Sequence, residues 1–521
     1  MPLTFVREVG NLERYSLARA NAGLYYNVLV GPRLHLLPNH PAQRLPTDSA
    51  QWVDLLTGPL TWLIQQHPSL SVVVGDHLSA KPTFMRMPSV NIARVVRVCS
   101  IQQPDEIAQV LEREHAEPFD FLDVEAPLWR IVVAHVKHDD SFFLLYNFQH
   151  VIGDGRSAKA ITEQLVERLN IQAAELHSPS ENGKPKLPTV VISPNDPMPP
   201  NLERRVNCKP SIPTLIKEAT MALLLPPFIK KALESKYWSG EIDASLKLPN
   251  ETRASIWFLT PNETSQVINA AKAHKNTVQS ILFTASNFAI KSTFLSHVEN
   301  DGRLTTTKDK LSFGTPVCLR SLISPPIALQ DQGSYTSEIA TKDIEVGLDT
   351  EFWDLAKSYR KQILEGTTRG GVRHLIEHAG LLEYLPKHKG GWEEFLRGQV
   401  EKEQHGRLST LKLSNIGRAW DQPTTEGSPP LAYKAVDAIF SQSANITSSA
   451  FTLNAATANG VLSMVATWQE ATFTSRDRAE LFMKEFKRIL LGATEPARKE
   501  YRFREALHSL TSTLSSKEVS K

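Results

Sequence analysis

Phe142-Phe-Leu-Leu-Tyr-Asn-Phe-Gln149, then His150-Val-Ile-Gly-Asp154-Gly155, then Arg156-Ser-Ala-Lys-Ala-Ile-Thr-Glu-Gln-Leu-Val166: an apolar run, a short turn and a helical pattern follow in immediate succession. The run is rich in aromatic and apolar side chains and reads as a strand. Ser157 to Leu169 returns to helical spacing. A histidine is thereby set at a strand end, on a turn whose glycines at 153 and 155 let it approach other backbone closely. A rigid element aims such a residue while the turn leaves it accessible, and functional side chains favour such positions. An imidazole titrating near pH ~6.5 can take a proton from a weak acid and return it to a leaving group. Asp154, four residues on, can orient the ring directly or form an ion pair that holds the turn. The turn is very short, which favours the ion pair.

Outward from this stretch the chain reads as mixed α and β. Ile131–Val136 is strand-like and is separated from Phe142–Phe148 by the turn-prone Lys137-His-Asp-Asp-Ser141, so the two read as a hairpin. Leu55–His67 and Asp105–His115 carry apolar residues at helical spacing, the first stopping before Pro68 and the second opening on Pro104. The second half repeats the style. Ala254–Leu259 is a strand, Pro261 opens a helix reaching His274, and Thr277–Thr293 is a long apolar helix. Leu311–Leu319, Leu408–Ile416, Ala435–Phe440 and Val461–Trp468 read as strands, and Asp477–Leu491 as an amphipathic closing helix. Between the halves, Ser178–Pro213 is too dense in proline to continue a helix or sit in a central strand, and reads as an exposed linker. The 521 residues exceed the size at which one core stops growing. The expected division is a first lobe over 1–177, a linker over 178–213, a second lobe over 214–510 and a disordered tail over 511–521.

Hydrophobic residues at 41% and charged residues at 22% are those of an ordinary globular protein, and a net charge of +2 gives no reason to expect a nucleic-acid partner. Cys99, Cys208 and Cys318 lie far apart, fitting neither a disulfide framework nor a C-x-x-C site, and read as free thiols in a reducing compartment. The start lacks the apolar core of a signal peptide, and no stretch reaches the ~18 apolar residues of a transmembrane segment. A cytoplasmic protein is expected. Ala219–Ile229, broken by Pro226-Pro227 and followed by Lys230-Lys231, reads as a buried or lid helix, with peripheral membrane contact as the lesser reading. His374-Leu-Ile-Glu377-His378 matches an inverted zinc-peptidase motif, with both histidines on one helical face. Its glycine-rich flanks and the lack of a downstream acidic ligand favour a solvated helix face, and no metal is expected. Neither a G-x-S-x-G elbow nor a phosphate-cradling glycine loop occurs.

His150-x-x-x-Asp154-Gly155 at the end of an apolar strand resembles the signature of the chloramphenicol-acetyltransferase-like superfamily, which includes plant BAHD acyltransferases and the condensation domains of peptide synthetases. Leu12-Glu-Arg-Tyr-Ser-Leu-Ala-Arg-Ala-Asn-Ala-Gly-Leu-Tyr-Tyr-Asn-Val28 is similar, more specifically, to the fungal alcohol acetyltransferase family. Gln66-His-Pro-Ser-Leu70, Ala126-Pro-Leu-Trp-Arg130 and Leu413-Ser-Asn-Ile-Gly417 resemble further segments of that family, and the likeness runs from Leu12 to Leu491. It implies an α/β protein of two chloramphenicol-acetyltransferase-like lobes, each a mixed open sheet with flanking helices. A channel would run between them with His150 at its middle, donor and acceptor entering from opposite faces.

The resemblance implies an O-acyltransferase, with acetyl the favoured group, moving it from acyl-CoA to an alcohol. His150 would be the general base in direct attack, without an acyl-enzyme. Acetyl-CoA would be a co-substrate, with no permanently bound cofactor, a small-molecule alcohol the acceptor, and the protein a monomer. Asp154 would be structural, paired with an arginine of the second lobe, for which Arg320 in Thr315-Pro-Val-Cys-Leu-Arg320 is the candidate. Gly155 would leave room. The Asp-Phe-Gly-Trp-Gly of BAHD enzymes is absent. Ser414-Asn415-Ile416-Gly417 with Trp420 is the nearest stand-in, which argues against a plant-type enzyme. Asn415 is a candidate donor to the developing oxyanion, or else a turn former. Two alternatives stand beside this reading. One is condensation-type amide formation, against which the chain shows no adenylation or carrier domain. The other is a non-catalytic binder, against which the intact motif argues. Ester formation and secondary metabolism are both open as the setting. Pro213–Trp238 and Thr367–Gln404 are candidate lids that set acceptor size.

Overall fold

The Phe142–Phe148 run and its predecessor form the expected hairpin, and that hairpin is the middle of a larger sheet. In the computed structural model the described residues are all but 1, 39–43, 176–186, 221–236, 242–249, 300–303, 402–406, 408, 422–430, 496–499 and 508–521. The first half contributes β1 (Val28–Leu36), β2 (Val96–Ile101), β3 (Trp129–Val136) and β4 (Ser141–Phe148). The second contributes β5 (Thr252–Phe258), β6 (Leu311–Cys318), β7 (Thr336–Ile344), β8 (Ser409–Arg418), β9 (Tyr433–Gln442), β10 (Ser449–Ala458) and β11 (Val461–Gln469). The main helices are α1 (Asn11–Asn21), α2 (Ser49–Gln66), α3 (Ile107–His115), α4 (Gly155–Glu175), α5 (Pro261–Ala273), α6 (Val278–Phe294), α7 (Phe352–Gly366), α8 (Arg369–Gly380), α9 (Gly391–Val400) and α10 (Arg476–Gly492).

Two mixed sheets carry the molecule, in the orders β9-β1-β4-β3-β2 and β5-β11-β10-β8-β6-β7. All eight residues of β4 are buried. Phe142, Leu144, Tyr146 and Phe148 share a core with Trp52 and Leu56 of α2 and Ile161 and Leu165 of α4. Phe143 and Leu145 face the other way, with Ile107 and Leu111 of α3 and with Ala254 and Val465 of the second sheet. A strand covered on both faces needs apolar residues at both parities, which is why this run does not alternate. In the second lobe, α6 is buried along most of its length among the phenylalanines of the strands and of α10. Thr277 caps it by accepting from Ser280 N, and Thr260 with Glu263 forms a capping box around the Pro261 that opens α5.

The expected division into lobes needs two corrections. β9, far into the second half, leaves its own sheet and pairs antiparallel with β1 of the first. Without it the edge of β1 would present a bare row of backbone donors and acceptors. Arg33 of β1 donates to Asp437 of β9 at 2.6 Å, and the buried His115 of α3 meets Ser441 of β9 at 2.7 Å. The proline-rich segment is also no exposed linker where it is described. Val190–Ile192 pairs with Ser89–Asn91, and Met198, Leu202 and Cys208 are buried. A Cβ at Gly380 of α8 would lie 1.7 Å from the Cys208 carbonyl oxygen, so the segment lies flush on that helix. Residues 176–186 of it, the tail over 511–521 and most of the Ala219–Ile229 stretch lie outside the described residues, as does much of the candidate lid over Pro213–Trp238.

Four strands of the two main sheets, β1, β2, β7 and β10, escaped the sequence reading. β1 contains Gly31-Pro32, and proline argues against a strand interior; the ladder to β4 skips that pair. β10 is built of Ser, Ala, Thr and Asn with two large apolar residues, and its burial is not legible in that composition. Its signal was the Asn459-Gly460 turn, both residues at positive φ, the short-range mark of a tight hairpin. β7 is an edge strand carrying Glu, Lys and Asp, charges that suit an edge and weaken a strand pattern. Among the described residues no helix is long and apolar enough to cross a membrane.

Candidate active site

His150 follows β4 by two residues, in a turn held from several sides. Gln149 N donates to Leu128 O at 2.9 Å, the Gln149 side chain accepts from Val151 N, and Ser334 of the second lobe donates to His150 O at 3.3 Å. Trp129 Nε1 donates to Leu70 O at 2.8 Å, so two segments singled out in the sequence support each other beneath the site. The imidazole lies against Tyr25, with ring centroids 6.0 Å apart, and against Phe148 at 6.3 Å. Its Nδ1 is enclosed without a partner residue, while the half-buried residue opens on a cavity. Burial, then Arg19, lowers the imidazole to about 4, with Lys412 acting in the same sense and Asp154 opposing. At neutral pH the ring is uncharged and able to accept a proton.

Asp154 points away from that ring into the junction of the lobes. Its Oδ1 accepts from Ser157 N at 2.9 Å, capping the first turn of α4. Its Oδ2 accepts from Arg320 Nη1 at 2.8 Å and from Tyr335 N at 3.0 Å. Arg320 Nη2 donates to Ser157 Oγ at 2.9 Å and to the carbonyls of Asp331 and Gly333 at 3.0 and 3.2 Å. Asp154 and Arg320 are both 0% exposed. Burial alone would raise the Asp154 carboxyl, but Arg320 and the donors from Tyr335 and Ser157 hold it below the usual carboxylate range. The motif aspartate therefore fastens one lobe to the other and fixes the turn that carries His150.

The cavity beside His150 holds about 430 Å³ and is walled by both lobes. Leu12, Tyr15, Ser16 and Arg19 of α1 line it at helical spacing, so one face of that helix forms a wall. Gly155 lines it as well, where a Cβ would stand 3.3 Å from Ile416 Cγ2 and 3.5 Å from the Phe440 ring. Across from α1, Lys412 pairs with Glu338 at 2.5 Å. Asn415 is on the wall, but its Oδ1 accepts from Gly417 N at 2.8 Å and its amide donates to Gln279 at 3.2 Å. Those bonds give it the turn-forming role. Cys318, isolated in sequence, also lines the cavity, with Arg320 Nη1 at 3.6 Å from its sulfur. Arg19, Tyr25, Lys412 and Asn445 belong to the site and carried no individual signal in sequence; α1 entered only through the resemblance of its segment.

The H-x-x-E-H stretch lies elsewhere, on α8. His374 and His378 do share a face, with rings 5.6 Å apart. Glu377 is committed to Thr214 at 2.6 Å, Ser211 at 3.1 Å and Arg373 at 2.8 Å. The carboxylate ties α8 to the segment entering the second half.

The alcohol acetyltransferase family model matches residues 105–490. The chain is 23% identical over 499 residues to the probable alcohol acetyltransferase FCK4 of Fusarium pseudograminearum strain CS3096, covering 94% of this chain and 95% of that protein. In fold it resembles the TRI3 trichothecene 15-O-acetyltransferase of Fusarium sporotrichioides, with a TM-score of 0.60, 13% identity and 94% of each chain covered. It also resembles polyketide synthase associated protein 5 from Mycobacterium tuberculosis, with a TM-score of 0.54, 14% identity and 94% and 99% of the two chains covered.

Proposed function

The chain belongs to the alcohol acetyltransferase family, and from that premise we propose that it moves an acetyl group from acetyl-CoA to the hydroxyl of a small-molecule alcohol, with His150 as general base. The observation that carries this reading is the His150 imidazole at the wall of a cavity shared by both lobes, where burial and Arg19 favour its uncharged form. With Nδ1 enclosed against its own main chain, the open ring nitrogen is Nε2, and that is the atom that meets the acceptor.

An alcohol does not attack a thioester unaided at neutral pH. Nε2 takes the hydroxyl proton as the oxygen bonds to the thioester carbonyl carbon, and the carbonyl becomes a tetrahedral oxyanion. Collapse breaks the carbon–sulfur bond, and the imidazolium returns its proton to the departing thiolate. Both substrates occupy the site together, so no acyl-enzyme is needed. The Asp154–Arg320 pair contributes position, since both oxygens of the Asp154 carboxylate already accept from Ser157, Arg320 and Tyr335.

Release of free thiol from acetyl-CoA with a panel of alcohols and amines tests this. Alcohol-dependent release is expected, and His150→Ala should lower turnover by at least about two orders of magnitude while leaving the circular dichroism spectrum unchanged. Retained turnover in that variant would overturn the mechanism. Release with amines only would assign amide formation instead, and no release with any acceptor would assign a binder.

A further inference from the structure

We propose that Arg19 binds a carboxylate carried by the acceptor, so that the alcohols acetylated by this protein include hydroxy acids. The inference rests on the acetyl-transfer reading above and adds the class of acceptor.

The guanidinium of Arg19 is clamped. Its carbon lies 4.6 Å from the Tyr15 ring centroid and 4.4 Å from that of Tyr25. The Tyr25 hydroxyl donates to Gln442 at 3.0 Å, which fixes that ring in turn. Yet among the described residues the charge has no acid beside it. Among the described residues its one hydrogen bond is to the neutral Ser16 hydroxyl at 3.2 Å, and its Nε is buried without a partner. The other cations near His150 are differently placed. Lys412 is neutralised by Glu338 and Arg320 by Asp154, and among the described residues Arg156 has no pair of rings to hold it. A guanidinium packed over two aromatic rings loses little freedom on binding, and its fork matches a planar carboxylate. Leaving such a charge uncompensated in a part-enclosed cavity is costly unless an anion arrives with the ligand.

The anion is not supplied by the donor. Through the shared Tyr25 ring, the distances of 4.4 and 6.0 Å bound the guanidinium to within about 10 Å of the imidazole, close enough for strong coupling. The coenzyme A sulfur, which must leave beside His150, is about thirteen bonds from the nearest phosphate, on the order of 15 Å in an extended arm. Its phosphates therefore lie past Arg19. An acceptor whose hydroxyl touches His150 reaches Arg19 with a carboxylate a few carbons away.

The test uses the full-length protein and a series of hydroxycarboxylates with about two to six carbons between the two groups, each beside its methyl ester. Wild type should prefer at least one acid over its ester by about tenfold to a hundredfold in kcat/KM, the range of a charge-assisted pair. Arg19→Gln should collapse that ratio toward one, mainly through KM, and Arg19→Lys should restore part of it. Thermal unfolding of each variant separates lost packing from lost recognition. Calorimetric binding of the preferred acid to wild type without donor gives an independent readout, and Arg19→Gln should abolish it. Transfer to esters with no preference for any acid overturns this proposal and leaves the acetyltransferase reading standing. Binding of the acid through Arg19 with no transfer to any alcohol supports the site and overturns the acetyltransferase reading.

Discussion

At His150 the relevant quantity is how easily the imidazole gives up its proton. Burial and the cations Arg19 and Lys412 favour the neutral ring, against Asp154, and place the group at about 4. A base that must be neutral loses activity only when pH falls through its own value. The acid limb of kcat/KM is therefore expected near pH 4, with a flat profile from about pH 5 to 8. A limb near the ordinary histidine value would show that the ring is solvated. Arg19→Gln removes one of the lowering charges and should move the limb to higher pH. Asp154 invites a different measurement. Asp154→Ala leaves Arg320 charged and buried, a loss of roughly 3–5 kcal/mol, read as a fall in denaturation midpoint and folded yield. A loss of rate at unchanged stability would instead make Asp154 an orienting group.

Single elements carry the next set of expectations. β1 passes β4 so closely that a Cβ at Gly31 would lie 1.9 Å from the Leu144 carbonyl oxygen. Backbone cannot yield there without opening the sheet that aims His150. Gly31→Ala is expected to destabilise by about 3 kcal/mol in urea titration, and a neutral result would show that β1 and β4 leave room for a methyl group there. On α8, Glu377 already accepts from three side-chain donors, so a strong chelator should leave acetyl transfer unchanged. Loss of activity reversed by zinc would restore the metal reading of His374 and His378.

Over the whole molecule, the exchange of β9 decides how the halves depend on one another. The first-half sheet is completed by Tyr433–Gln442, and Arg320 of the second half saturates the aspartate beside the first-half histidine. Residues 2–213 expressed alone should therefore lack a cooperative unfolding transition, and co-expression with 214–521 should recover one. Two independent transitions in the intact chain would show the lobes to be separable. The cavity belongs to this scale too, since α1, the His150 turn and β6 to β10 each supply part of its wall.

Local pattern determined much of this protein. Strand, turn and helix around His150 were legible because β4 needs apolar residues at both parities and because glycine and proline punctuate the chain. The family was legible from short segments, two of which meet through Trp129 and Leu70. Tertiary structure alone decided the rest. It moved β9 into the other sheet, laid the proline-rich segment on α8 and buried the small-residue strand β10. It also brought Arg19, Cys318 and Lys412, each distant in sequence, to one cavity. Those outcomes follow from which sheet edge would be left bare and which charge would be buried alone, and neither is a property of any local run of residues.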